Sequence, residues 1–365
     1  MANFVCITQF VAKSATKTAR FIGPLRATKK ESIMQRILFA IAVLLAAFTL
    51  TKSATVSAEE SLAREKVVIA QYGKEKFLLY LPLYIAMEDG FFAKRGLDVD
   101  LRFAGNDDQI FATVISGSAQ FGVGDPVFAA ISREKGGPGK IVALMVSKLA
   151  IAGYTNKDSV PMIQVAQDAA GLRIGSLPAP STMYTLLREF VQIHKLDSTK
   201  IVQAAIGAQL AALEAGQVDI AVDLEPTISI AESKGYRVNF PFDRFTEPQA
   251  ITGISTLDST IQQRPDLVAK VVGAVQDGLD RLHADGGAAQ RVAEKLFPNL
   301  SKEVVAAAVR RMSAFGVYPR SVVVGEALWQ RTLRTRLESG ELKRPQALDF
   351  AVDNRFATEV ATGTK

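Results

Sequence analysis

The chain of 365 residues carries 43 Lys and Arg against 37 Asp and Glu, a formal charge of +6, with 48% hydrophobic and 22% charged residues. That composition excludes a disordered or collagen-like chain, and the length suggests roughly two domains of about 100–200 residues each. A lone cysteine excludes an internal disulfide and a thiolate-built zinc site, and two histidines leave little for imidazole-based metal chemistry.

The surplus of positive charge sits at the N-terminus. Residues 1–30 hold six Lys or Arg and no acid. An apolar run of 14 residues at 37–50 follows Arg36 and leads to Val56, Ser57 and Ala58. A basic stretch, an apolar run and a small-residue exit predict a secretory signal peptide cleaved after Ala58, with Met34 as an alternative start. The run is short for a membrane span, which needs about 18–20 apolar residues. An uncleaved anchor and an organellar transit peptide are the competing readings. Cleavage would remove eight of the 43 bases and one of the 37 acids, leaving 307 residues with 35 bases, 36 acids and a formal charge of −1. Cys6 would leave with the leader, and no cysteine stands at the cleavage site to carry a lipid anchor. A near-neutral mature chain without a basic-aromatic stripe disfavours nucleic acid as a partner.

The apolar run at 66–71 predicts a buried first strand. Residues 81–88 predict a helix with Pro82 in its first turn, ended by Gly90, and residues 97–103 a second strand. A helix at 107–116, capped by Asp107 or Asn106, precedes a third strand at 120–124. Asp125 and Pro126 open the next helix, and 141–147 is a fourth strand. This alternation argues for an α/β unit with a mainly parallel sheet. The pattern repeats over 156–245, with strands at 172–176, 201–204, 218–222 and 236–238, and helices at 181–194, 208–215 and after Glu225-Pro226. Residues 251–256 return as a strand. Helices are then expected at 264–283, 290–296, 301–315 and 325–337.

Residues 81–100, LPLYIAMEDGFFAKRGLDVD, resemble the opening signature of the SsuA/THI5-like (NMT1-like) periplasmic solute-binding proteins, the nitrate, sulfonate, taurine and thiamine-precursor group. GSAQFG at 117–122, AGQVD at 215–219 and DLEP at 223–226 follow in the family's order. Trp329, residues 338–343 and VDNRF at 352–356 resemble its closing pattern. The resemblance covers most of 66–356. It implies a two-lobed fold of type II character, with residues 65–153 and 252–365 in lobe one, residues 154–251 in lobe two, and crossings near 148–156 and 244–253. It also implies an ABC importer's permease as partner, a monomeric periplasmic protein and no cofactor.

In an open parallel sheet, ligand binds beyond the carboxyl ends of the strands, where loops feed helix N-termini. Four segments meet that condition: Gln71 and Tyr72 with Tyr84 nearby, Gly124 with Asp125, Ser181 with Thr182, and Asp223 with Glu225. Each has a plainer role available. Asp125, Ser181 and Thr182 could simply cap helices, the tyrosines could pack, and Glu225 could be first-turn helix chemistry. Helix N-termini favour an anion, whereas Asp125, Asp223 and Glu225 favour an amine or an aminopyrimidine-like donor. No Arg falls in these segments, and Lys74 and Lys148 are the nearest bases. Because a sulfonate or nitrate site commonly holds a paired cation, a neutral or donor-bearing organic solute is expected.

Two other functions compete with solute capture for import. One is an exported ligand-sensing module acting in trans. The other is an enzyme similar to the related thiamine-pyrimidine synthases, whose chemistry uses a His and a cysteine-rich iron site. The mature chain lacks cysteine, and His194 and His283 fall apart on predicted helices. No catalytic residue is expected.

Overall fold

The computed structural model describes residues 64–363, and the leader with Met34 and the run at 37–50 lies outside the described residues. Strands β1 (Glu65–Gln71), β2 (Leu97–Phe103), β3 (Phe121–Gly124) and β4 (Lys140–Val146) are followed by β5 (Ile151–Thr155), β6 (Arg173–Ser176) and β7 (Lys200–Gln203). β8 (Ile220–Leu224), β9 (Arg237–Phe240) and β10 (Thr252–Thr256) complete the set. Between the strands lie α1 (Leu81–Glu88), α2 (Phe91–Lys94), α3 (Asp107–Ile115), α4 (Val127–Glu134), α5 (Thr182–Ile193), α6 (Gln209–Glu214) and α7 (Thr227–Ser233). The C-terminal third is helical: α8 (Asp258–Gln263), α9 (Pro265–Ala284), α10 (Gly286–Leu296), α11 (Lys302–Ala314), α12 (Glu326–Glu338), α13 (Leu348–Ala351) and α14 (Arg355–Thr362).

The strands form two five-stranded sheets of one design, ordered β2-β1-β3-β10-β4 and β7-β6-β8-β5-β9. Both are mixed rather than mainly parallel throughout. β1 pairs in parallel with β2 and β3, and β6 with β7 and β8. The reversed strands are β10, antiparallel to β3 and β4, and β5, antiparallel to β8 and β9. Geometry explains which strands reverse. The chain leaves the first sheet at the carboxyl end of β4 and enters the second as β5; it leaves the second at the carboxyl end of β9 and returns as β10. A strand entered across that edge runs against strands that end there. The expected crossing at 148–156 therefore contains a strand, β5, in which every residue is buried.

The main core joins Ile69, Phe121 and Val123 of the first sheet to Val271 and Val275 of α9. α9 lies close on α1 because Gly278 has no side chain: a Cβ there would stand 2.2 Å from the Pro82 carbonyl oxygen. In the second sheet, Phe190 of α5 packs against Phe240, Phe242 and Phe245 with ring centroids 5.4, 5.6 and 5.2 Å away. Burial of such side chains contributes about 1.5–3 kcal/mol each. Trp329 of α12 anchors a separate cluster with Leu144, Val324 and Leu333. Among the described residues, no helix is long and apolar enough to cross a membrane.

Candidate functional site

The carboxyl ends of the two sheets converge on a narrow cavity of about 30 Å³. From the first sheet come Tyr72 beyond β1, Asp107 at the start of α3, Asp125 beyond β3 and Thr252 of β10. From the second come Leu177 beyond β6, Ser181 and Thr182 at the start of α5, and Leu224 at the end of β8. Leu79, Leu149, Met183 and Ile251 make the walls largely apolar.

Asp125 holds this junction together. Its Oδ1 accepts the Val127 N–H at 2.9 Å, the capping bond expected from its place before α4. Its Oδ2 accepts from the Arg336 guanidinium and the Thr182 hydroxyl. Arg336, only 2% exposed, also donates through Nη1 to Thr185 Oγ1 at 2.7 Å and to Glu341 Oε2 at 2.8 Å. Burial pushes the Asp125 carboxyl up, against the pull of Arg336, Thr182 and the Val127 N–H. Burial opposes the Arg336 charge as well, but Asp125, Glu341 and Asp107 more than offset it and keep the guanidinium protonated.

Asp107 lies beside this pair. Its Oδ1 accepts the Asp125 N–H at 2.9 Å. Burial, and then repulsion from Asp125, push its carboxyl up to about 7. On the same side of the cavity the Tyr72 hydroxyl is buried and bonded to no described residue. Burial and the charges of Asp107 and Asp223 hold that phenol protonated.

Of the nine residues singled out in the sequence, Tyr72, Asp125, Ser181 and Thr182 line the cavity. Ser181 also caps α5, its Oγ accepting the Tyr184 N–H at 3.3 Å. The other five stand behind the lining. Gln71 and Tyr84 satisfy each other, the Tyr84 hydroxyl donating to Gln71 Oε1 at 2.9 Å. Gly124 makes room: a Cβ there would lie 2.6 Å from Ile110 Cδ1 and 2.8 Å from Asp107 Oδ1. Asp223 is buried in β8, accepting from Leu224 N–H at 2.8 Å and Tyr154 hydroxyl at 3.4 Å, and burial pushes it up to about 7. Glu225 is 1% exposed and taken up by Arg311 at 2.5 Å and by the Ser229 N–H and hydroxyl at 3.0 and 2.9 Å.

Sequence reasoning misses Arg336 and Asp107 as site residues. Arg336 is 211 residues from its partner Asp125 in sequence. A signal exists, since Trp329, Leu333 and Arg336 follow an i, i+4, i+7 stripe that puts an arginine at a core position. Asp107 stands out in the sequence only as a helix cap. Of the histidines, His194 packs edge-on against Phe190 with centroids 5.1 Å apart, and His283 Nε2 lies 3.0 Å from the Pro319 carbonyl.

Two sheets of matching topology, joined at their carboxyl ends around a cavity lined from both, form the periplasmic-binding-protein fold. The model of the NMT1/THI5 like family matches residues 79–289, more than half of the chain, and the chain belongs to that family. It is similar to the riboflavin-binding protein RibY of Chloroflexus aurantiacus, 25% identical over 291 residues that cover 76% of this chain and 82% of RibY. The periplasmic aliphatic sulphonate binding protein SsuA of Escherichia coli is 13% identical with a TM-score of 0.61, over 80% of this chain and 92% of SsuA. The desulfurization enzyme DSZB is 17% identical with a TM-score of 0.60, over 83% of this chain and all of DSZB. The two solved structures share the fold, and one of them is an enzyme.

Proposed function

We propose that this protein is the solute-binding component of an ABC importer, exported across the membrane, capturing a small organic solute between its two sheets. The observation that carries this reading is the shared lining: Tyr72, Asp107 and Asp125 face Leu177, Ser181 and Thr182 across one cavity, so a bound molecule would touch both halves. The segments that cross between the sheets, 147–150 and 241–251, would act as the hinge between a lobe built on each sheet. The closed form would dock on the permease. Binding rather than catalysis is supported by the names of the relatives, which are mostly binding proteins.

The test has two parts. Solute released from the purified protein by denaturation is identified by mass spectrometry, and thermal shifts are recorded with riboflavin, aminopyrimidines, amines, alkanesulfonates and nitrate. A stabilising solute, whose uptake by cells stops on deletion of the gene, is the expected result. A folded protein stabilised by none of them and carrying none refutes solute capture; a bound solute whose uptake is unchanged by the deletion points instead to sensing in trans.

A further inference from the structure

One side of the cavity's lining is incomplete. Asp125 is saturated by Val127, Thr182 and Arg336. Asp107 is not: its Oδ1 takes the Asp125 N–H, and no donor among the described residues reaches Oδ2. The Tyr72 hydroxyl lines the same cavity without a partner, on a side chain only 4% exposed. The buried, unpaired phenol carries a free-energy penalty that a ligand hydrogen-bonded to it would remove, and the Asp107 Oδ2, which opens on the same cavity, is free to accept an N–H donor.

Charge narrows the choice further. No Lys or Arg lines the cavity, and the charge of Arg336 is taken by Asp125 and Glu341. An anionic head would meet Asp107 with no free cation to balance it. A neutral donor would satisfy the hydrogen bond and leave the carboxylate charge unpaired. Leu79, Leu149, Leu177 and Met183 supply an apolar wall for the body of the molecule.

Resting on the reading of this cavity as a solute cleft, we propose that it selects a compact organic cation. The ligand is an ammonium or amidinium head on an apolar body, with Asp107 Oδ2 and Tyr72 Oη accepting its N–H groups.

The surroundings of Asp107 link binding to protons. Burial and Asp125 push its carboxyl up to about 7, Asp108 adds to this, Arg336 opposes it, and Tyr72 and Tyr80 face the same space as neutral phenols. A cation would bind the ionised form and release a proton. Affinity should therefore rise about tenfold from roughly pH 6 to pH 8.

Isothermal titration of the purified protein tests this with protonated amines and amidines graded in size, benzylamine and benzamidine among them, each beside its alcohol and sulfonate isosteres. The expected result is binding by cations alone, weakened at least tenfold in Asp107→Asn at about pH 8 and less in Tyr72→Phe. Asp107→Asn keeps an oxygen for the Asp125 N–H, and an unchanged circular dichroism spectrum verifies its fold. Cation binding that Asp107→Asn leaves intact overturns the proposal. So does failure of every cation: if an alcohol or sulfonate then binds and Tyr72→Phe weakens it, the cleft stands and only its charge preference is wrong. If nothing in the set binds and no solute co-purifies, the cleft itself is refuted along with the proposal.

Discussion

Asp223 illustrates how a single residue takes its chemistry from where the chain puts it. By composition it is an ordinary acid, and an Asp ends a strand more often than it extends one. β8 nevertheless runs on to Leu224, and the carboxyl is buried with its value pushed up to about 7 from an ordinary 3.8. Below about pH 4 the folded and unfolded chains both hold this proton. As pH rises the unfolded chain releases it first, so the residue lowers stability progressively between about pH 4 and pH 7. Asp223→Asn keeps an acceptor for the Leu224 N–H and removes the linkage. Urea unfolding should find it more stable than the parent chain at about pH 8, by on the order of 2 kcal/mol, with no gain at about pH 4. Gly124 is legible in the sequence as part of a strand-to-helix step, but the reason for a glycine there is not. Only the fold brings Ile110 and Asp107 against it, and Gly124→Ala is expected to lower stability by about 1–3 kcal/mol in the same assay.

Elements are easier to read than residues, because periodicity is local. The apolar faces of α9 and α12 put their limits within a residue or so of expectation. Two features escape. β5 lacks a polar alternation and reads as a crossing, since a fully buried strand leaves no period to detect. Strand direction is also absent from a hydropathy pattern, so the reversed β5 and β10 emerge only from pairing. α12 carries the main consequence for the site, because it delivers Arg336 to Asp125 at the mouth of α4. Arg336→Ala would strand a buried carboxylate, and chemical denaturation should register a loss of about 3–5 kcal/mol. A loss below about 1 kcal/mol would mean that the ion pair does not organise this junction.

At the scale of the whole molecule, helices of the C-terminal third bridge to helices that follow strands of the second sheet. Arg331 of α12 meets Glu189 of α5 at 2.8 Å and Glu247 at 3.1 Å. Arg311 of α11 meets Glu225 at 2.5 Å and Glu232 of α7 at 2.7 Å. In the proposed hinge motion these pairs would have to break for the cleft to open. Replacing both Arg331 with Met and Glu189 with Gln avoids leaving a lone buried charge, so stability should change little while the ligand-free protein opens. Small-angle scattering should then report a larger radius of gyration, reversed by a cleft ligand. An unchanged radius would show that these pairs do not control closure. The sequence by itself determined the α/β class, the order of its elements and the family, because those reside in local periodicity and in a contiguous signature at 81–100. Tertiary structure alone decided which acids face the cavity and which are spent on the protein. Asp107, Asp125, Asp223 and Glu225 look alike in sequence, but a carboxylate's partners come from distant segments. Arg336 and Arg311 reach Asp125 and Glu225 from 211 and 86 residues away. No local pattern encodes those distances.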